Sequence, residues 1–546
     1  MPGLVPAWAR SGTPGLGPAL PGLSGEDIAL TVGHSQFTVG GRTGHAVTVN
    51  GMLPAPLIRL RQGQTVRIAV TNMLEEDTSI HWHGVLLPFH MDGVPGVSFP
   101  GIGPGETFVY EFPVRHAGTF WYHSHSNLQE QLGHYGPLIF DPAERDPVQY
   151  DREHVIVLSD WSFMHPHEIM QKLKKDPGYF NYQRHTLAGL TGDGAPEEQM
   201  PFAERMMWKR MRMDPTDIAD VTGSTYTYLV NGYGPLENWT ALFQPDERVR
   251  LRVINASAMT VFNVRIPDLP MTVVNADGND VRPVEVDELQ ISVAETYDVI
   301  VRPGDDRAFT LVAESVDRSG MARATLAPRP GMTADVPALR PRPALSMDAL
   351  GMHSNDHGTG GGHPSAPDPV SNVAKGPGVD TMVMNAGDAA GRRGLGLEGV
   401  GHRVLVYSDL VALRPNSDRR HPSRSLEIHL TGNMERFMWS FDGRKFNEIV
   451  DPIRFARDER VRVTLVNDTM MQHPIHLHGH FFEVVNGHAG HHPMKHTVNV
   501  LPGSSITFDL TADNPGDWAF HCHLLYHMHS GMFNVVTVRP LDGAFT

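Results

Sequence analysis

The 546-residue chain holds a single cysteine, Cys522. That excludes an internal disulfide framework and any zinc site built from several thiolates. Positive charge is scarce: 45 Lys and Arg stand against 61 Asp and Glu, a formal charge of −16. A phosphate backbone is recognised by a basic face, so no nucleic-acid partner is expected. No apolar run long enough to span a bilayer occurs, so no transmembrane helix is expected. A complete signal peptide is also missing. Residues 1–25 are rich in Pro, Gly and Leu, with no charged stretch leading into an apolar one, yet Ala7-Trp8-Ala9 has the small-x-small form of a cleavage site. This segment reads either as a leader or as the remnant of an export signal.

What the chain has in abundance is 31 His and 26 Met, the imidazole and thioether donors that copper favours. They concentrate tellingly around the one thiol, in His521-Cys522-His523-Leu524-Leu525-Tyr526-His527-Met528-His529-Ser530-Gly531-Met532. A blue electron-transfer copper takes two His, one Cys and a weak axial Met. Cys522, His527 and Met532 supply three of those four positions.

A threefold repeat organises the rest. Strand-like alternation occurs at residues 65–72, 248–255 and 460–467, each preceded by a turn signal: Asn50-Gly51, Asn231-Gly232 and Asp442-Gly443. Many short strands with Gly/Pro turns point to antiparallel β-sandwiches. The chain is therefore expected to be all-β, with three sandwich domains at 26–145, 146–330 and 401–546. Domains one and three share a second element. It leads through Phe108, Tyr110 and Phe112 to His123-Ser124-His125, and through Ile506, Phe508 and Leu510 to His521-Cys522-His523. The middle counterpart, residues 308–314, has no histidine, so domain two reads as a spacer. Residues 164–215 contain two segments of helical propensity and read as an insertion in domain two. Residues 331–400, rich in Pro and Gly and carrying Met347, Met352, His353, His357 and His363, read as a linker, with metal trapping as the alternative.

Four histidine pairs stand out: His81/His83, His123/His125, His476/His478 and His521/His523. Residues two apart in a strand share a face, so each pair aims two imidazoles the same way. Eight such ligands suit a cluster of several metal ions. Cys522 points to the opposite face from its neighbours, which puts two metal sites on the two sides of one strand, on the order of 10 Å apart. Zinc has no redox chemistry to use such wiring; copper does.

These motifs, in this order, resemble the multicopper oxidases, a family that includes laccases and ascorbate oxidase. Residues 92–99 (Asp92-Gly93-Val94-Pro95-Gly96-Val97-Ser98-Phe99), residues 151–161 and the helical insertion are similar to its copper-resistance protein A branch. The resemblance implies three cupredoxin-like Greek-key β-sandwiches, four coppers per chain, dioxygen as electron acceptor and a periplasmic location. It implies a type 1 copper on His473, Cys522 and His527 with Met532 axial, and a type 2 copper on His81 and His476. The type 3 pair would take His83, His123, His125, His478, His521 and His523. It also implies that Asp92 is a catalytic proton relay, although Asp92 reads equally as a turn residue before Gly93. The expected reducing substrate is Cu(I), motivated by Met434, Met438, Met470 and Met471 near the type 1 motif and by Met206, Met207, Met211 and Met213 in the insertion. Laccase-like oxidation of phenols is the alternative, and copper sequestration without turnover a third reading.

Overall fold

The computed structural model describes residues 20–182, 202–210, 213–346, 350, 373, 376–383 and 386–540. One hairpin is built three times. Asn50-Gly51 (φ 53° and 72°), Asn231-Gly232 (52° and 82°) and Asp442-Gly443 (50° and 75°) all place both central residues in the left-handed region. This is the type I′ turn, whose twist matches that of the flanking strands. Each first residue also accepts a backbone N–H through its side-chain oxygen, from Thr31, Val157 and His429 respectively, at 2.7, 2.7 and 2.8 Å.

The three repeated strands are Thr65–Asn72, Val249–Asn255 and Arg460–Asn467. Each has an antiparallel neighbour on one side: Thr107–Pro113, Thr296–Val301 and Ser504–Thr511. On the other side each has a parallel neighbour: Asp27–Val39, Arg152–Ser162 and Arg424–Asn433. The sheets are therefore mixed, not purely antiparallel. A parallel neighbour needs a long connection, and the chain makes it by crossing to the opposite sheet before returning. Two sheets form in each third of the chain, of four and five strands, six and five, and seven and five. The result is three β-sandwiches.

In each five-stranded sheet the equivalent strand takes the equivalent place. Gly118–His123 lies between Tyr135–Asp141 and His81–His83; Gly516–Cys522 lies between Phe533–Arg539 and His473–Leu477. In the middle sandwich Phe309–Ser315 lies between Met321–Ala327 and Phe262–Arg265. The histidine-bearing elements are thus one structural position used twice, with an apolar version between them.

Several expectations need correction. Val249–Asn255 is buried along its whole length, although its alternation suggests one face in solvent. Its polar face carries Arg250, whose Nε donates to Asp298 at 2.9 Å, and Arg252, whose Nη1 reaches Thr119 Oγ1 in the first sandwich at 2.9 Å. That face is a contact between sandwiches, so its charges are paired and not solvated. The stretch 331–400 is more than a linker where it is described: Leu345 and Leu397 are buried, and Arg340 donates to both Glu288 and Glu314. Met347, Met352, His353, His357 and His363 lie outside the described residues. Within the expected leader, Gly22–Leu23 forms a strand parallel to Leu57–Arg61, so the first sheet begins before residue 26. The insertion contains helices Pro166–Lys175 and Phe202–Arg210, and buries Ile169, Leu173 and Trp208.

Candidate metal centre

Two strand pairs bring the histidines together. His81 lies directly opposite His123, and His476 directly opposite His521. Opposed residues share a sheet face, so each pair aims its imidazoles one way. The expectation that every His-x-His pair lies within a strand holds only for His81 and His83. His125, His478 and His523 fall just beyond the strand ends. They reach the same space because their backbone N–H groups are tied to Ser79 Oγ (3.0 Å), the Ala519 carbonyl (3.0 Å) and the Pro474 carbonyl (2.7 Å).

Three groups can be drawn among the eight rings, but the closest pairs, His81–His478 and His83–His476 at 3.8 Å, cross them. His83, His123 and His523 have ring centroids 4.9 to 5.7 Å apart. His125, His478 and His521 lie 5.0 to 5.1 Å apart. His81 and His476 remain as a pair at 5.8 Å. In the second group His521 Nε2 is 2.9 Å from His478 Nε2 and 3.3 Å from His125 Nε2.

The outer nitrogens are already bonded. His81 Nδ1 donates to the Asp92 carbonyl (2.7 Å), His478 Nδ1 to Asp92 Oδ2 (2.8 Å) and His123 Nδ1 to the Ser124 carbonyl (3.0 Å), with Glu130 Oε2 2.9 Å from the same nitrogen. His476 Nδ1 donates to the His496 carbonyl (2.7 Å) and His521 Nδ1 to the Cys522 carbonyl (2.9 Å). A proton fixed on Nδ1 leaves Nε2 as a bare lone pair, the arrangement of a metal-ligating histidine. Nε2 of His81, His123 and His476 and both ring nitrogens of His523 are buried with no hydrogen-bond partner among the described residues. Orphaned buried atoms of this kind call for an explanation, and a bound metal satisfies them. Burial first, then neighbouring imidazoles, hold His83, His123, His125, His476, His478 and His523 well below the ordinary histidine value, and burial holds His521 at about 4. Neutral imidazole is the form that binds metal.

Cys522 occupies the other face of the same strand, opposite Ile475. Its Sγ is 3.6 Å from His473 Nδ1 and 3.8 Å from His527 Nδ1, and those nitrogens are 3.1 Å apart. The centre of that triangle is about 2 Å from each donor, a metal–ligand bond length. His473 Nε2 meets Thr469 Oγ1 at 2.8 Å, and His527 Nε2 meets Asp220 Oδ2 at 2.6 Å. Trp439 stacks on His527 with centroids 3.9 Å apart. Met532 is fully buried, and its backbone ties the set together: its carbonyl accepts from Cys522 N–H and its N–H donates to the His527 carbonyl, both at 3.1 Å. Burial pushes the Cys522 thiol up and Asp220 up to about 8. A bound cation reverses both shifts.

The structure therefore brings together all eleven histidine and cysteine residues named from the sequence, with Asp92 against two of them. Sequence reasoning missed Glu130, Asp220 and His496, whose ring lies 4.7 Å from His83 and 5.4 Å from His476. Asp220 belongs to the middle sandwich, so that sandwich is not merely a spacer. Burial lowers His529, in the same segment as Cys522 and His527, to about 4.

Models of the family described as "Multicopper oxidase" match residues 31–145, 152–331 and 419–542. The chain is 48% identical to a copper resistance protein A homolog of Pseudomonas syringae pv. tomato, over 98% of this chain and 95% of that protein. It is 45% identical to copper resistance protein A of Escherichia coli, over 96% and 94%. The fold is similar to that of Fet3p, a multicopper oxidase that functions in iron import (TM-score 0.64, 21% identity, 95% of this chain and 91% of that one). It is also similar to the laccase of Botrytis aclada (TM-score 0.64, 22% identity, 98% and 89%). With the donor sets in place, these matches make the chain a member of the multicopper oxidase family, a copper-dependent oxidoreductase.

Proposed function

We propose that this oxidase takes its electrons from Cu(I), and that the four coppers sit as the family pattern implies. The type 1 copper would be held by His473, Cys522 and His527, with Met532 as the fourth ligand. Type 2 takes His81 and His476, and the type 3 ions take the two groups of three rings. Copper at these places supplies one-electron acceptance on the Cys522 side and four-electron delivery to dioxygen on the histidine side. The protein joins the two by peptide bonds, since Cys522 is flanked by His521 and His523. Asp92 orients His478 through Oδ2, and its Oδ1, buried 3.3 Å from His81 Nδ1, is the atom that holds a proton for the water-forming steps. The reading of the chain as domains 26–145, 146–330 and 401–546 fits this assignment, since the ligands come from the first and last.

One observation carries the choice of substrate. His527 is fully buried, and its outward Nε2 is covered by the buried carboxylate of Asp220. A phenol ring needs open contact with that edge; a carboxylate in its place favours a small cation. Met170 and Met259 flank the same segment, with Sδ 3.9 Å from Ser530 Oγ and 3.4 Å from Tyr526 N, and thioethers select Cu(I). Phenol oxidation is the second reading. A cavity of about 600 Å³ lined by Lys174, Met438, Met528 and His529 adjoins the segment but does not include His527, so phenols should react slowly. The copper-resistance relatives are bacterial, and we place the protein in the periplasm on that ground.

The test is oxygen consumption by copper-loaded protein with Cu(I) and with a dimethoxyphenol, beside Asp220→Ala. The variant should lose at least ~10-fold in Cu(I) turnover and gain phenol turnover as the His527 edge opens. Unchanged Cu(I) kinetics would refute the cation route.

A further inference from the structure

The middle sandwich touches the oxygen-reducing side as well. Asp277 and Gly278 (φ 47° and 75°) form the tip of the hairpin between Met271–Ala276 and Asn279–Val286. That tip is wedged against the first sandwich: a Cβ on Gly278 would lie 2.2 Å from the Phe120 ring, and one on Gly118 would lie 2.4 Å from the Gly278 carbonyl oxygen. The approach leaves the Asp277 side chain facing a segment of the last sandwich, Lys495-His496-Thr497. Its Oδ2 accepts from His496 N (3.3 Å) and Thr497 N (3.2 Å) and forms an ion pair with Lys495 Nζ (2.9 Å), while Oδ1 accepts from Thr296 N (3.0 Å). Lys495 also reaches Glu295 Oε1 at 3.1 Å, which accepts from Tyr407 Oη at 2.6 Å. Asp277 and Lys495 are wholly buried.

The segment that Asp277 holds is the one on which two copper ligands rest. His476 Nδ1 donates to the His496 carbonyl at 2.7 Å and lies 3.2 Å from Thr497 Oγ1. His83 Nε2 lies 3.2 Å from His496 Nδ1 and 3.3 Å from Thr497 Oγ1. One ligand comes from the first sandwich and the other from the last, and both are oriented by three residues whose backbone is fixed from the middle one. Gly84 next to His83 is part of the same fit: a Cβ there would lie 2.5 Å from the His496 ring. A buried ion pair contributes little net stability because desolvation opposes its attraction, whereas fixing a register is the best-attested use of such a pair.

We propose that Asp277 is a positioning residue for the oxygen-reducing copper cluster: by accepting the N–H groups of His496 and Thr497 it sets the orientation of His476 and His83. The role belongs to an acceptor oxygen, not to the charge itself. It rests on the reading of His476 as a type 2 ligand.

Removing Asp277 alone would strand the Lys495 ammonium, so the test uses paired substitutions in the full-length, copper-loaded protein. Asp277→Ala with Lys495→Met removes charge and acceptor together; Asp277→Asn with Lys495→Met removes the charge and keeps an acceptor oxygen. Copper per chain, the type 2 signal in electron paramagnetic resonance and the blue absorbance of the Cu–thiolate are measured for each. The Ala pair should hold type 2 copper ~10-fold more weakly against a chelator, the lower end of what loss of an outer hydrogen-bond partner does. The Asn pair should hold it like the parent, with the blue absorbance intact in both. Full copper in the Ala pair, or equal loss in both pairs, overturns the positioning role. His476→Ala is the control: if it keeps its type 2 signal, the ligand reading has failed, a result separable from either of those.

Discussion

At the scale of single residues, the centre is a set of imidazoles kept neutral by burial, and this has a consequence for stability. His521 is lowered from an ordinary value of about 6.5 to about 4, and burial holds His83, His123, His125, His476, His478 and His523 well below the same ordinary value. In the unfolded chain these groups take up protons as pH falls through about 6.5, while in the folded metal-free protein they stay neutral. The unfolded state then binds more protons, so stability is present above about pH 6.5 and is lost as pH falls toward 4. His521 alone accounts for ~3 kcal/mol across that window. Urea unfolding of metal-free protein at pH 7.5 and pH 5.0 should show a large drop in midpoint; equal midpoints would mean that the rings are not desolvated as described. Cys522→Ser belongs to this scale too. It should abolish the blue absorbance and most turnover with either reductant while leaving copper on the histidine side, as measured by metal content and paramagnetic resonance.

The same scale shows what was legible in the chain. The eleven histidine and cysteine residues of the candidate centre could be picked out because metal binding restricts both residue type and spacing, and the one thiol sits inside the motif. Glu130, Asp220 and Asp277 were not. Each acts on the centre from outside the motifs, and Asp220 meets His527 across 307 residues. A lone carboxylate in a loop or turn has no local pattern, since its role depends on what the fold brings against it.

Among the elements, the three Asn/Asp-Gly turns were readable because left-handed backbone at two successive residues permits few side chains. The parallel pairings were not, because alternation of apolar residues is the same whichever way the neighbouring strand runs. The turns carry a prediction. Asn231 combines a φ of 52° with two side-chain hydrogen bonds: its Oδ1 accepts from Val157 N (2.7 Å) and its Nδ2 donates to the Val155 carbonyl (2.9 Å). Asn231→Ala should destabilise by about 1–3 kcal/mol, with copper content and the blue absorbance unchanged, because the turn lies away from every ligand. Asn50→Ala, in the equivalent first-sandwich turn, should behave alike. A loss of blue colour in Asn231→Ala would show that this turn positions the site.

For the whole molecule, the proposed ligands come from both ends of the chain and the carboxylates beside them partly from the middle. His81, His83, His123 and His125 meet His476, His478, His521 and His523 across the junction of the first and last sandwiches, while Asp220 and Asp277 reach in from the second. On the proposed assignment copper would cross-link the sandwiches, and a ligand that binds the folded state alone stabilises that state in proportion to its affinity. The effect should be local. Hydrogen exchange of metal-free against copper-loaded protein should show lost protection in His81–His83, Gly118–His123, His473–Leu477 and Gly516–Cys522, the strands that carry the proposed ligands. Val249–Asn255 should change little, because it is buried along its length and its Arg250 and Arg252 are held by Asp298, Glu153 and Thr119 without any metal. Uniform loss across all three sandwiches would mean that copper supports the fold as a whole. Loss confined to one sandwich would mean that the junction is held by protein contacts and that copper merely occupies it.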